Sequence, residues 1–426
     1  MDRPASAAPA GDPWAVAIGN ASLLGIGYLM AGRRATAVVS GFGTALLVTF
    51  LACAARSVWA EVLVLLWWAA VIAHGWFLGA RHGGPRTGAR VRRQRMIALA
   101  VTIPVLAAVV VLRVDAARVG TQVARARDAG DCVAAAAGAD RMWAGHRVAD
   151  APSTAAVDRT VRACALLRRA TTTLDTALSG DISALATGFD TMSSVIALYP
   201  GHDAMVRRVL DGFLGRLPTG NACHTVTITD WLAQRPPTGT PLDRATEVAV
   251  RIAPAARIAC QLDTLRTSLR TTDPNGQPAY CSRPQPYAGA RPYGPPGPDL
   301  ALLFGNGTDT QQFPAEWRAR DAADAVLILC AGPTEYGDPV ETCPYVTETS
   351  HRTGDVTFHK RAIPVRAYEV RTGRLITDAR IQIGGASCPD TLHYRSFADL
   401  GPPPRFYVSS SDGDVRAAFD PLINPR

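Results

Sequence analysis

Residues 81–113 read RHGGPRTGARVRRQRMIALAVTIPVLAAVVVLR: six arginines (Arg81, Arg86, Arg90, Arg92, Arg93 and Arg95), then a stretch from 96 to 112 without a single charge. A short basic loop between two membrane segments is retained on the cytoplasmic side. A spanning helix needs about 20 apolar residues, within a range of about 17–25. Residues 96–112 sit at the lower limit, and Arg113 can snorkel to the interface. The pair of features sets an expectation for the whole chain. The arginines stay inside, the apolar run crosses, and everything after Arg113 lies outside the cytoplasm.

Towards the N-terminus three more apolar stretches precede the arginines. Residues 58–80 place Trp59 and Trp76 near opposite ends, as an aromatic belt would. Residues 35–55 carry no charge. Residues 13–32 are the weakest candidate, with Asn20, Ser22 and four glycines, so a re-entrant or interfacial segment is the alternative. Arg33 and Arg34 follow the first stretch, Arg56 alone follows the second, and the six arginines follow the third. That basic, sparse, basic pattern puts loops one and three inside. If 13–32 does not cross, the N-terminal side moves inside and the C-terminal side stays out. Glu61 and His74 fall within the third stretch, about 20 Å apart along a helix, and read as interfacial polar residues.

The net charge of +8 could suggest a nucleic-acid partner. Residues 1–113 hold 11 Arg against three acids (Asp2, Asp12, Glu61), which accounts for all of it. The remainder is neutral and carries no electrostatic footprint for a phosphate backbone. No nucleic acid is expected; the lipid bilayer is the partner this charge implies.

Eight of the nine cysteines follow the apolar region: Cys132, Cys164, Cys223, Cys260, Cys281, Cys330, Cys343 and Cys388. The ninth, Cys53, lies inside the second apolar stretch and reads as a small buried apolar residue. An even set in an exterior region reads as a disulfide framework. Local context favours Cys132–Cys164 and Cys223–Cys260, with Cys330–Cys343 closing a loop and Cys281–Cys388 left over. The absence of C-x-x-C argues against a zinc ribbon or thioredoxin-type site.

From 114 to 270 the chain is rich in Ala, Leu and Arg with helical periodicity. Gly130-Asp131-Cys132-Val133-Ala134-Ala135 recurs as Gly180-Asp181-Ile182-Ser183-Ala184-Leu185. Glycine at that point ends one helix in a left-handed cap and Asp can cap the next. The repeat resembles tetratricopeptide-type helix–turn–helix units, which implies a concave surface for a partner segment; a generic helical bundle is the other reading. Lys360 is the sole lysine beside 43 arginines. With heavy Ala, Val, Gly and Pro use, this points to a GC-rich genome, and the layout resembles that of actinobacterial multi-pass membrane proteins. That resemblance brings no activity with it.

Residues 271–298 carry eight prolines and read as an extended spacer of up to about 85 Å. Residues 299–426 are β-rich. AADAVLILC reads as a buried strand, and Val356–Val370 with Leu375–Ile383 read as a hairpin turned at Arg371–Arg374. Phe406–Val408 adds a further strand. Short helices are expected near Glu316–Ala325 and Asp414–Phe419. Cys343-Pro344-Tyr345, Val365–Glu369, Thr372-Gly373 and Cys388-Pro389 resemble a bacterial extracytoplasmic domain.

No metalloprotease, serine-hydrolase, Walker or dinucleotide signature occurs. Asp412-Gly413-Asp414 lacks the later ligands of a calcium loop and reads as a turn. His351, His359 and His393 have no ligand spacing. No catalytic, cofactor or metal residue is expected. The expectation is therefore a multidomain α+β membrane protein. A four-segment transmembrane region (1–113; spans about 13–32, 35–55, 58–80 and 96–112) precedes an exterior helical module (114–270), a linker (271–298) and a small disulfide-stapled β-rich domain (299–426). It would sit in the bacterial plasma membrane and engage another envelope protein or peptide. An extracytoplasmic enzyme or a transport accessory subunit is the alternative.

Overall fold

The computed structural model describes residues 12–53, 58–81, 88–271, 276–295, 297–305, 313–348, 351–395 and 401–425. Arg56, Arg86, Pro274, Pro296 and the Cys53 side chain fall outside that description. Two compact units emerge, Met1–Leu217 with Trp231–Val248, and Pro218–Asp230 with Ala249–Arg426. These divisions do not follow the compositional boundaries at 113, 270 and 298.

The first unit begins with α1 (Pro13–Ala21), α2 (Ile26–Met30), α3 (Arg34–Cys53), α4 (Val58–Arg81) and α5 (Gly88–Asp128). Three of these, α3 to α5, are long and apolar enough to cross a membrane. The expected first span is not a single helix. α1 has nine residues, about 14 Å at 1.5 Å per residue, under half of a hydrocarbon core of about 30 Å. The Ser22 hydroxyl donates back to the Gly19 carbonyl, and Leu23 and Gly25 take φ of 63° and 69°. A helix cannot pass through two left-handed residues, so the chain turns there and α2 leads it away.

The arginine-rich stretch also differs from a loop. Arg81 is the last residue of α4, and Arg90, Arg92, Arg93 and Arg95 lie on the first turns of α5. Cations at a helix N-terminus oppose its dipole, so helix stability does not explain them. α5 then continues past Arg113 to Asp128, 41 residues in all, or about 60 Å.

Beyond it come α6 (Cys132–Ala139), α7 (Ala144–Ala149), α8 (Ala151–Ala177), α9 (Ile182–Leu198) and α10 (Asp203–Arg216), then α11 (Ala222–Gln234) and α12 (Arg244–Ser268). Both repeated turns form as glycine and aspartate dictate. Gly130 and Gly180 have φ of 72° and 89°. Asp131 accepts from Val133 N and Ala134 N, and Asp181 from Ser183 N and Ala184 N. The Ser183 hydroxyl, and then the Ala184 amide, hold the Asp181 carboxyl below its ordinary range. α8 buries Val157, Thr160, Cys164, Leu167 and Leu174, the three- and four-residue spacing of one helix face. α9 meets it through Gly188, where a Cβ would lie 2.6 Å from a Leu174 methyl.

The second unit is built on an open mixed sheet. Its strands are β1 (Ala301–Phe304), β2 (Leu327–Ala331), β3 (Glu335–Val346), β4 (Thr353–Glu369), β5 (Leu375–Ile383) and β6 (Arg405–Tyr407). The long β4 is central. β3 and then β2 pair along one side of it, and β6 and then β5 along the other. Gly373, at φ 70°, turns the β4–β5 hairpin. α13 (Asp412–Ile423) places Val415, Phe419 and Ile423 on a core with Leu327, Leu329, Val365 and Ile383. Asp412-Gly413-Asp414 is its first turn, with Ser411 as the capping residue. The helix expected near Glu316 is reduced to a 3-10 turn at Ala315–Trp317.

The proline-rich stretch is no free spacer where it is described. Tyr280 and Cys281 are buried, Tyr287 N donates to Val370 O, and the Tyr293 hydroxyl donates to Leu422 O. With Leu265 of α12 and Leu269 just beyond it, these residues form a second core against Ile328, Cys330 and Val370. Proline favours extended backbone, but buried aromatic side chains hold that backbone against the sheet.

Four cysteine pairs stand at disulfide distance: Cys132–Cys164, Cys223–Cys260, Cys281–Cys330 and Cys343–Cys388. The last two differ from the expected Cys330–Cys343 and Cys281–Cys388. Cys330 sits on buried β2 facing the docked proline-rich stretch, so Cys281 is 5.9 Å away between Cα atoms. Cys343 lies on β3, beyond the bend after β2, and packs in a separate core with Cys388, Val356 and Phe358.

Candidate functional site

The apolar helices of the first unit define two ends. Leu51 packs with Ala60 and Val64, while Ala37 packs with Val71, so α3 and α4 run antiparallel. Arg34 and Arg81 therefore lie towards one end and Glu61 towards the other. Asp12, the capping residue of α1, accepts from Arg95 Nε at 2.7 Å, and its amide donates to Gln94. α1 thus starts at the arginine end. It rises beside α4 only as far as Trp68, whose Nε1 donates to Ala21 O at 3.0 Å.

A buried polar cluster holds this helix–break–helix in place. Asn20 donates through Nδ2 to Val71 O and accepts at Oδ1 from Tyr28 N. The Tyr28 hydroxyl lies 3.2 Å from Val71 O and 2.9 Å from His74 Nδ1. Thr102 donates to Ile18 O. Backbone freed by a helix break at membrane depth is tolerated where protein groups satisfy it again. Close approach is allowed by glycine. A Cβ on Gly27 would stand 2.0 Å from Val16 O, and one on Gly75 2.3 Å from Asn20 Nδ2. His74 is thus brought to Tyr28, which its position within a span did not foretell.

Glu61 is also engaged. Its Oε1 accepts from Ala151 N at 3.0 Å, and its Oε2 stands 3.4 Å from Arg113. Asp150 accepts from Ser153 N at the same helix end. A carboxylate at the start of a helix is favoured by its dipole and its free N–H groups. Glu61 therefore ties α4 to the first turn of α8. Beside it lies a cavity of about 410 Å³. Ala21 and Leu23 border it from the helix break, Trp68, Leu106 and Val109 from α4 and α5, and Val148 from α7. Glu61 and Arg113 are the charged groups on its wall.

A second depression, of about 420 Å³, lies on the helices after Arg113, bordered by Asp131, Thr171, Arg208 and Arg216. Val133 at its rim is 81% exposed, and an isolated valine at that exposure needs a reason only because it borders a groove.

The histidines of the sheet domain do not converge. His359 Nδ1 lies 2.9 Å from Gly337 O, and His351 occupies a left-handed turn. Tyr336 stacks on Tyr407 at 4.4 Å with Arg405 against the same ring, so this cluster is already filled by its own members. Among the described residues, the group at metal-ligand spacing is Glu341 with Cys343 and Cys388, and those two sulfurs pair with each other.

Asn20 and the four glycines of 13–32 were the visible signal for the helix break. The Glu61–Arg113–Ala151 junction had none, because its partners are 52 and 90 positions apart. No family model, no curated protein and no solved structure matches this chain.

Proposed function

We propose that the chain is a multi-pass bacterial plasma-membrane protein that presents residues 114–426 outside the cytoplasm as an interaction or scaffolding ectodomain. One observation carries the reading. Arg34, Arg81, Arg90, Arg92, Arg93 and Arg95 gather at one end of the apolar helices, opposite the end where Arg113 meets Glu61, while all four cysteine pairs occur after α5. Positive residues favour the cytoplasmic side, and disulfides persist in oxidising compartments. Two unrelated chemistries thus support one orientation. Residues 13–32 enter and return on the arginine side, which puts the N-terminal side in the cytoplasm. The bilayer is one partner, and an envelope protein or peptide is the other. Glu61 supports anchoring rather than ion passage, since both its oxygens are engaged. The exposed Val133 and its groove are the surface offered for binding. A photo-crosslinking residue at Val133 in intact cells should give a discrete heavier species, absent when the residue is moved to Arg169 on the exposed side of α8. Equal adducts at both positions, or none at Val133, would contradict the interaction reading.

A further inference from the structure

We infer that the cavity beside Glu61 and Arg113 is a binding site for one aliphatic chain of an amphiphile whose phosphate head lies at Arg113. The inference rests on the membrane reading above. The volume of about 410 Å³ falls in the range of small-ligand sites, about 300–1,000 Å³. Its shape and chemistry are polarised. At one end Ala21 and Leu23, from the tip of the helix break, form an apolar floor, and Trp68 holds that tip in place. Along the sides stand Leu65, Leu106 and Val109, which are 55%, 37% and 46% exposed. Those exposures mark the wall as open towards the surface that the bilayer covers. At the other end are Arg113 and Glu61, beneath α7.

Water is a poor occupant of such a space, because an apolar cavity offers it too few hydrogen-bonding partners. A lipid chain needs none. The head end is equally specific. Arg113 is 56% exposed at its side chain and meets Glu61 at 3.4 Å, a long contact. Guanidinium carries five N–H donors in a planar fork suited to phosphate, so one contact leaves donors directed elsewhere. Glu61 is 16% exposed and is held by Ala151 N. Its role is to fix Arg113, not to repel the ligand from it. The helix break explains the depth. A continuous helix over 13–32 would run on past Trp68 into this space; a nine-residue α1 stops beneath it. The break therefore creates the site as well as the fold.

The chain could belong to a bilayer glycerophospholipid or to a polyprenyl phosphate carrier, and the shared chemistry is an aliphatic chain with a phosphate head. The full-length protein in native membranes is exposed separately to a diazirine-acyl phosphatidylglycerol and to a diazirine polyprenyl phosphate, irradiated, and digested for mass spectrometry. Labelling should concentrate on peptides containing Leu106 or Val109. Val109→Trp, which fills the cavity from its open side, should cut it by about tenfold, whereas Val110→Trp, exposed but not lining it, should not. Arg113→Gln should weaken labelling by about tenfold for the phosphate probe, the loss of one charge-assisted hydrogen bond, and leave a diazirine diacylglycerol unaffected. Whichever probe labels more strongly names the source. Labelling equal in the parent, V109W and V110W proteins would show surrounding bilayer lipid only and overturn the site. No labelling of a carbonate-resistant membrane protein would do the same. Release of the protein by carbonate would instead overturn the membrane reading on which the site rests.

Discussion

The apolar helices α3 to α5 and the sheet built on β4 use opposite means to hold a shape. In the helices, most large apolar side chains face outwards: Val39, Phe42 and Leu66 are each more than 60% exposed. Order comes instead from glycine contacts and a few polar bonds, those of Asn20, Tyr28, Thr102 and Glu61. In the sheet the core is apolar and covered, and Leu327, Leu329 and Val365 are fully buried. Cysteine pairs close its flanks. The contrast is what two solvents would impose under the proposed membrane reading. Lipid gives no reward for hiding a leucine but penalises a loose backbone group. Water does the reverse.

That contrast can be broken at either side. Opening the Cys281–Cys330 pair with Cys281→Ser should be the most damaging change. The pair closes a separation of 49 residues, for which chain entropy gives about 4 kcal/mol. Calorimetry should show the sheet domain melting earlier while the detergent-solubilised helices are unaffected. Unchanged melting would mean that the docked proline-rich stretch holds Cys281 in place without the bond.

Among the helices, Gly27→Ala should cost about 1–3 kcal/mol by overpacking, because its Cβ would meet the Val16 carbonyl and the Asn20 side chain. Unfolding in detergent measures it. Gly41→Ala, with open space at its Cβ, is the neutral control. Equal effects would deny that the helix break is tightly packed.

Glu369→Gln sharpens the sheet side. Burial raises the Glu369 carboxyl, but the Thr372 hydroxyl at 2.6 Å, the Tyr293 amide and Arg374 outweigh it, leaving the group below the ordinary glutamate value. A depressed carboxylate gives stability that is present above the ordinary value and lost as pH falls through the folded one. The variant should be about 1–2 kcal/mol less stable near neutral pH, and the gap should close below pH 4.5. A gap that widens in acid would reverse the sign. The smallest effect is expected for Glu61→Gln, about 1 kcal/mol, as for loss of a helix cap, read as faster hydrogen exchange at the start of α8.

Legibility in the sequence followed the range of the interactions. The caps at Asp131 and Asp181 and the β4–β5 hairpin were readable because their causes lie within a few residues. The helix break at Ser22–Gly25 was half readable. Asn20 and the glycines weakened the span, but the bonds that fix the break come from Val71 and His74. The pairing of Cys281 with Cys330 was not readable. It depends on the proline-rich stretch folding onto β2, and a proline count describes only the stretch alone. Nor could the cavity be foreseen, since it is the space left where α1 stops.

The orientation of the chain is tested most directly by labelling intact cells with a membrane-impermeant maleimide at two single added cysteines, Val133→Cys after α5 and Arg90→Cys before its apolar run. The account predicts that the cysteine at 133 labels in intact cells and the one at 90 only after lysis. Labelling at 90 with protection at 133 would contradict it.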